Sequence, residues 1–202
     1  RFMLSKLQND LSVIAYYDAA SMLLLAILGL ASRPFNLFIF QAYIKKFNID
    51  GPEVTINFIE KCQKYFALFL ILLIALLTFF SSFILNLLFP SGYSSSSSVI
   101  PLLSVGFLFN SLYVSSMAGL YMTDKPKLIA LASIIGVITN IVFNFLLIPK
   151  YGVNGAAVAT SLGFILSYTV GYIFSRRILF VRPPYALFIM TIVIIFVGLK
   201  IN

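Results

Sequence analysis

Apolar residues along this chain come in long unbroken runs, not in the strict alternation of a half-buried strand. Residues 65–123 carry no Asp, Glu, Lys or Arg. That stretch is too long for one membrane crossing, which needs about 20 helical residues. Pro90-Ser91-Gly92-Tyr93 and the serine run 94–98 divide it with a turn and a flexible polar loop. Residues 128–149 are again uncharged, and Lys150-Tyr151-Gly152-Val153-Asn154 makes a short turn before the uncharged run 155–175. Arg176, Arg177 and Arg182 form a basic loop, and Pro183-Pro184 opens a last apolar run. Upstream, Leu11 to Tyr43 is apolar except for Asp18 and Arg33. The pattern predicts an all-α, polytopic transmembrane bundle of about six helices. Five spans, at about 12–44, 65–89, 99–122, 128–148 and 155–175, fall in one unit over 1–182, and 183–202 adds a further helix. Pro34 is expected to bend the first helix. Within 47–64 a turn at Asn48 to Glu53 precedes Val54, Phe58, Ile59 and Cys62 at helical spacing. This spacing suits a short helix lying on the inner membrane surface.

Composition excludes most alternatives. Of 202 residues, 61% are hydrophobic and 10% charged, and the mean hydropathy is +1.04. Soluble domains run at roughly 45–50% apolar and 25% charged, so a soluble enzyme, a nucleic-acid module and a disordered tail are all disfavoured. His and Trp are absent and Cys62 is the single cysteine. An imidazole metal site, a His-based triad and an internal disulfide are therefore impossible within this sequence. The acidic residues Asp10, Asp18, Asp50, Glu53, Glu60 and Asp124 show no spacing suited to paired-carboxylate or metal chemistry. No phosphate-binding or dinucleotide-binding glycine pattern is present. We therefore expect no enzyme, no cofactor and no metal. The chain begins at Arg1 and ends at Asn202 inside apolar context, as expected for a piece of a longer protein.

The net charge of +8 is a topology signal. Lys45, Lys46, Lys61, Lys64, Lys125, Lys127, Arg176, Arg177 and Arg182 fall in loops of one side. Arg1, Lys6, Lys150 and Lys200 fall on the other. The positive-inside rule puts the first group in the cytoplasm, and no nucleic-acid partner is expected. Most tyrosines lie near span ends, as in an aromatic belt.

Small and polar residues inside the spans are the candidates for packing and function. Gly155, Ala159, Gly163, Ser167 and Gly171 recur every fourth residue, a helix-packing stripe. Ala132, Gly136, Asn140 and Asn144 repeat the spacing on the preceding helix. The amides of Asn110, Asn140 and Asn144 need a partner in hydrocarbon, either a neighbouring helix or a wet cavity. Asp18 and Arg33 lie about 22 Å apart along a helix and cannot pair on a straight one. Asp18 lies either at the interface or in a proton or ion path. Arg33 either snorkels to headgroups or faces a cavity, where a guanidinium could grip phosphate in bidentate fashion.

The run NIVFNFLLIPKYGVNGAAVAT over residues 140–160 resembles a signature of polysaccharide-biosynthesis flippases. These are the O-antigen and capsule repeat-unit translocases of the multidrug/oligosaccharidyl-lipid/polysaccharide exporter superfamily. Two shorter matches stand in the expected order, Met3-Leu4-Ser5 through Tyr16-Tyr17-Asp18-Ala19-Ala20 and Gly119-Leu120-Tyr121-Met122-Thr123-Asp124-Lys125-Pro126-Lys127. The resemblance implies the C-terminal lobe of a two-lobe transporter. Residues before Ser5 would end helix seven and the spans would be helices eight to thirteen. It implies movement of undecaprenyl-pyrophosphate-linked oligosaccharide across a bacterial cytoplasmic membrane by alternating access. Its partners would be that lipid-linked sugar, membrane lipid and the missing N-terminal lobe. Under this resemblance Arg33 would meet pyrophosphate, Asn110, Asn140 and Asn144 would bind sugar, and Asp18 is the candidate for ion coupling.

Other readings remain. An ion-coupled exporter of cationic drugs on the same fold would want acids deep in the cavity, and only Asp18 lies within a span. A membrane assembly subunit without a transport cycle would show stability effects but no flux effects on substitution of intramembrane polar residues. A membrane-embedded glycosyltransferase lacks its acidic base and metal ligands here.

Overall fold

The computed structural model describes residues 11–89 and 93–201, and among them there is helix and no strand. The stretch before Leu11, with Arg1 and Lys6, and the turn expected at 90–92 lie outside the described residues. The stretches Ile14–Phe79 and Pro126–Ser175 are each long and apolar enough to cross a membrane. Each is divided by one glycine with a left-handed backbone, Gly51 (φ 80°, ψ 179°) and Gly152 (φ 54°, ψ −128°). Such angles are open to glycine because it lacks a Cβ. We number the helices α1 (11–50), α2 (52–79), α3 (Ser81–Leu88), α4 (Val99–Ser111), α5 (Tyr113–Ser116), α6 (Ala118–Met122), α7 (126–151), α8 (153–175) and α9 (Tyr185–Ile201). Tyr93–Ser98 forms a 3₁₀ segment where a flexible loop was expected.

The chain turns back at each break. At one end Ile39 and Tyr43 of α1, Ile59 of α2, Ala118 of α6, and Leu179 and Val181 after α8 form one buried cluster. At the other end Ile14 and Tyr17 pack on Ile148 and Ala156, Tyr16 meets Tyr93 edge-on, and Ser98 Oγ donates to Asn154 Oδ1 at 3.3 Å. The segments bearing Lys45, Lys61, Lys125 and Arg177 all adjoin the first cluster, and Lys150 adjoins the second. Among the described residues, the segments bearing these basic side chains thus gather at one end of the bundle, and Lys150 lies at the other.

The main core joins Leu24 and Leu28 of α1, Leu70 and Ile74 of α2, Leu103 and Leu108 of α4, and Tyr168 of α8. Much of the outside is apolar too: Leu30 is 75% exposed, Leu72 66% and Leu87 71%. Large contiguous apolar surfaces of this kind are a liability in water and ordinary in lipid.

Several boundaries differ from those the sequence suggested. No surface helix separates from the second span: α2 runs unbroken from 52 to 79, and its buried positions Thr55, Ile59 and Gln63 continue the face that Phe66 and Leu70 bury deeper in the bundle. Pro52 starts α2, where a missing N–H is harmless. The turn expected over 150–154 shrinks to Gly152 alone, with helix on both sides. Pro34 lies within helical backbone, so its φ is accommodated in α1. The second span ends at Phe79, and Phe80 (φ −104°, ψ 16°) offsets α3. The third span is three pieces, broken at Leu112 (φ −93°, ψ 1°) and Met117 (φ −99°, ψ 15°). There the Ser111, Ser115 and Ser116 hydroxyls donate to the carbonyls of Phe107, Leu112 and Tyr113, which competes with the helix ladder.

Alanine at Gly152 must adopt angles reserved for glycine. Gly152→Ala is expected to lower the unfolding free energy of the full-length protein in detergent by about 1–3 kcal/mol. Equilibrium unfolding with unchanged stability would show that the hinge tolerates ordinary backbone angles.

Candidate functional site: a polar cavity within the bundle

Helices meet in lipid where small residues let backbones approach. All five residues of the stripe on α8 are buried. A Cβ on Gly163 would stand 2.9 Å from Gly136 O and 3.0 Å from Asn140 Cβ. One on Gly136 would stand 2.7 Å from Gly163 O. These two glycines therefore bring α7 and α8 into backbone contact. Gly171 faces the Met117 side chain and Gly155 faces the α7 backbone at Leu147. A second row on α8, not read from the sequence, meets α4 and α6: Ser161 Oγ donates to Leu102 O at 2.6 Å, and Gly106 N donates to Ser161 Oγ at 3.2 Å. Gly119 N donates to Ser175 Oγ at 3.0 Å. Ser161 and Ser175 lie on the far side of α8 from Gly163, and Gly106 and Gly119 were the signal for them.

Two further polar pairs tie other helices. Ser32 Oγ of α1 donates to Ser111 Oγ at 2.7 Å, and Gln63 Nε2 of α2 donates to Ser115 Oγ at 2.9 Å.

Beside the glycine contact the helices part and leave a half-open cleft of about 480 Å³, at whose mouth Asn110, Ser133 and Val137 are exposed. Its wall takes Tyr17 from α1, Asn110 from α4, Tyr113 from α5, Ser133 and Asn140 from α7, and Thr160 and Ser167 from α8. Gly136, Val137, Gly163 and Phe164 complete it. Ser133, Gly136, Val137 and Asn140 share one face of α7 through spacings of three, four and seven. Among the described residues no Asp, Glu, Lys or Arg lines the cavity. Part of the wall is locked by internal hydrogen bonds. Tyr17 OH and Thr160 Oγ1 are 3.0 Å apart, Asn140 Nδ2 donates to Thr160 Oγ1 at 3.2 Å, and Tyr113 OH and Ser133 Oγ are 2.6 Å apart.

Two of the three asparagines singled out from the sequence, Asn110 and Asn140, line this cavity together. Asn144 does not line it. It is buried and donates through Nδ2 to Asn140 O at 2.8 Å and Asn140 Oδ1 at 3.1 Å, orienting the Asn140 amide. Tyr17 and Tyr113, read as belt residues, belong to the wall. Asp18 is half-buried next to Tyr17, and its carbonyl accepts from Ser21 Oγ at 3.0 Å. Arg33 lies elsewhere, exposed on the outer face of α1. It borders a separate open groove of about 410 Å³ with Ser21, Met22, Leu25, Ala26 and Leu30. Cys62 is half-buried, as for a passive side chain. Among the described residues no group of His, Cys, Asp and Glu could hold a metal ion.

A helical bundle whose outward faces are as apolar as its core is a membrane protein. Its similarities are to membrane proteins of glycan and polysaccharide biosynthesis. The chain is 32% identical over 124 residues, 60% of its length, to an uncharacterised membrane protein of Methanocaldococcus jannaschii. It is 34% identical over 88 residues, 44% of its length, to a Haloferax volcanii protein named a probable low-salt glycan biosynthesis flippase. It is 26% identical over 141 residues, 69% of its length, to the capsular polysaccharide biosynthesis protein CapF of Staphylococcus aureus. The matched regions span 24%, 19% and 36% of those three proteins. No family model and no solved structure matches the chain.

Gly163→Leu is expected to force α7 and α8 apart and to remove most of the full-length protein from the membrane fraction. Overpacking of this kind typically costs about 1–3 kcal/mol, occasionally more. Quantitative immunoblotting of membranes checks it, and normal abundance would mean that the two helices do not rely on this contact.

Proposed function

We propose that the chain forms one lobe of a flippase that moves a lipid-linked oligosaccharide across the cytoplasmic membrane by alternating access, with no covalent chemistry. The observation that carries this reading is the charge-free amide and hydroxyl cavity in an otherwise apolar bundle. The partial similarity to a protein named a flippase and to a capsule-biosynthesis protein supports it. The relatives' greater length fits a second lobe on the same polypeptide, closing a central path against the outer face of α1. The basic end of the bundle would face the cytoplasm.

In this scheme the lipid carrier is a polyprenyl pyrophosphate, undecaprenyl pyrophosphate in a bacterium. Arg33 would grip the pyrophosphate through its fork of N–H donors. The apolar groove running from Arg33 along Leu30, Leu25 and Met22 would receive the first part of the tail. Asn110 and Asn140 would offer hydrogen bonds to sugar hydroxyls, with Asn144 holding Asn140 in place. Asp18, one turn from the groove and beside Tyr17, is the residue through which an ion gradient would act. A cationic-drug exporter would need anionic groups in the cavity, and among the described residues none lines it.

Replacing Arg33 by Ala and by Lys in the full-length protein in its host tests the proposal. Surface polysaccharide is expected to fall and lipid-linked repeat units to accumulate on the inner leaflet at normal membrane abundance. The Lys variant should be partly active, because it keeps the charge and loses the bidentate geometry. Normal surface sugar in both variants would remove Arg33 from the substrate path.

A further inference from the structure

We infer that the cavity between α4, α7 and α8 is a subsite for an uncharged sugar. It would be separate from the place where the carrier's phosphate is held, and it would select against carboxylated sugars. The inference rests on the flippase reading and adds a location and a chemical class to it.

Three observations converge. The cavity lies about midway along its helices: Asn110 stands near the centre of the α4–α6 span and Asn140 near the centre of α7. Asn110 is exposed at the mouth of the cleft and Ser167 buried in its wall, and within hydrocarbon such groups need water or a polar occupant to meet them. The polar wall also divides into committed and uncommitted groups. Tyr17, Thr160, Asn140, Tyr113 and Ser133 are held by one another. Asn110 and Ser167 make no hydrogen bond among the described residues, yet both line the cavity. Asn110 thus presents two donors and a carbonyl acceptor, and Ser167 a hydroxyl. This alternation of donors and acceptors matches vicinal hydroxyls or an N-acetyl group. The rings of Tyr113 and Phe164 and the side chain of Val137 offer apolar surface for the C–H face of a pyranose.

Charge then decides the class. Among the described residues no cation lines the cavity, and Arg33 borders the other groove. A carboxylate entering here would leave water with no counter-charge to meet it, whereas a neutral sugar exchanges hydrogen bonds with water for bonds with the wall. A volume near 480 Å³ falls within the roughly 300–1,000 Å³ of small-molecule sites, enough for a short saccharide and too little for a polymer.

Site-specific photo-crosslinking in the full-length protein, in its host, tests this. Benzoyl-phenylalanine is placed at Val137, on the cavity wall, or at Leu30, beside Arg33. Adducts are identified by mass spectrometry. The expected result is a lipid-linked glycan captured at both positions, with a neutral sugar bonded at Val137. Adding Asn110→Leu should lower the Val137 yield about tenfold, as loss of a hydrogen-bond pair would, and leave the Leu30 yield unchanged. Ser167→Ala should act in the same direction if Asn110→Leu reduces membrane abundance. Capture at Leu30, with only phospholipid or another part of the chain at Val137, would overturn the subsite and leave the flippase standing. A carboxylated sugar at Val137 would overturn the neutral class. An unchanged Val137 yield in both variants would overturn their role as sugar ligands. Failure to capture any glycan at either position would count against the flippase itself.

Discussion

Water is absent from the hydrocarbon core, and every polar group that enters it must find its partner inside the protein. The bundle meets that constraint in two ways that depend on each other. Backbone groups are satisfied within helices. Side-chain groups are satisfied between helices, but only where backbones come close enough. The approach of α7 to α8 at Gly136 and Gly163 provides that closeness. It sets Asn140 against Thr160, and Thr160 against Tyr17 of α1, so three helices are joined through short side chains. Such bonds average about 0.6 kcal/mol in membranes. Their number and placement fix the register of the helices more than they deepen the stability.

The same closeness explains why a cavity exists next to the contact. Once α7 and α8 touch at their glycines, the neighbouring positions cannot all touch α4 as well. On one side of α8 Ser161 and Ser175 dock onto Gly106 and Gly119. On the other the wall opens around Asn110 and Ser167. Packing surface and cavity wall are thus two faces of one helix, with Ser161 and Ser167 on opposite sides of the division.

Much of this was legible in the sequence. Helical class and the two-sided sorting of basic residues follow from uncharged runs punctuated by Lys and Arg, because lipid excludes charge so strongly that punctuation marks the ends. The small-residue stripe from Gly155 to Gly171 could be read because its spacing is that of a helix face. Other features could not be read, for physical reasons. The polar stretch 53–64 looked like a surface helix because charge in a short window resembles an interfacial pattern. Its buried positions Ile59 and Gln63 are tied to α1 and α5 by tertiary contacts that no window contains. The breaks at Leu112 and Met117 lie among serine hydroxyls that share the Leu112 and Tyr113 carbonyls with the helix ladder, a local detail that composition leaves undecided. Asn110 and Asn140 could be nominated from sequence, but their meeting in one cavity without Asn144 or Arg33 depends on how α4, α7 and α8 pack.

Gly51 and Gly152 have a further consequence, for biogenesis. Each joins two long apolar helices through a single residue, one at the basic end of the bundle and the other at the opposite end. A joint with so little polar chain carries almost nothing across the bilayer during insertion, so α7 and α8 can enter together as one hairpin. It also leaves scarcely any loop for a protease or an antibody to hold. The α7–α8 joint would be hard to reach from outside the membrane, whereas exposed Asp50 and Glu53 on either side of Gly51 leave a charged handle at the basic end.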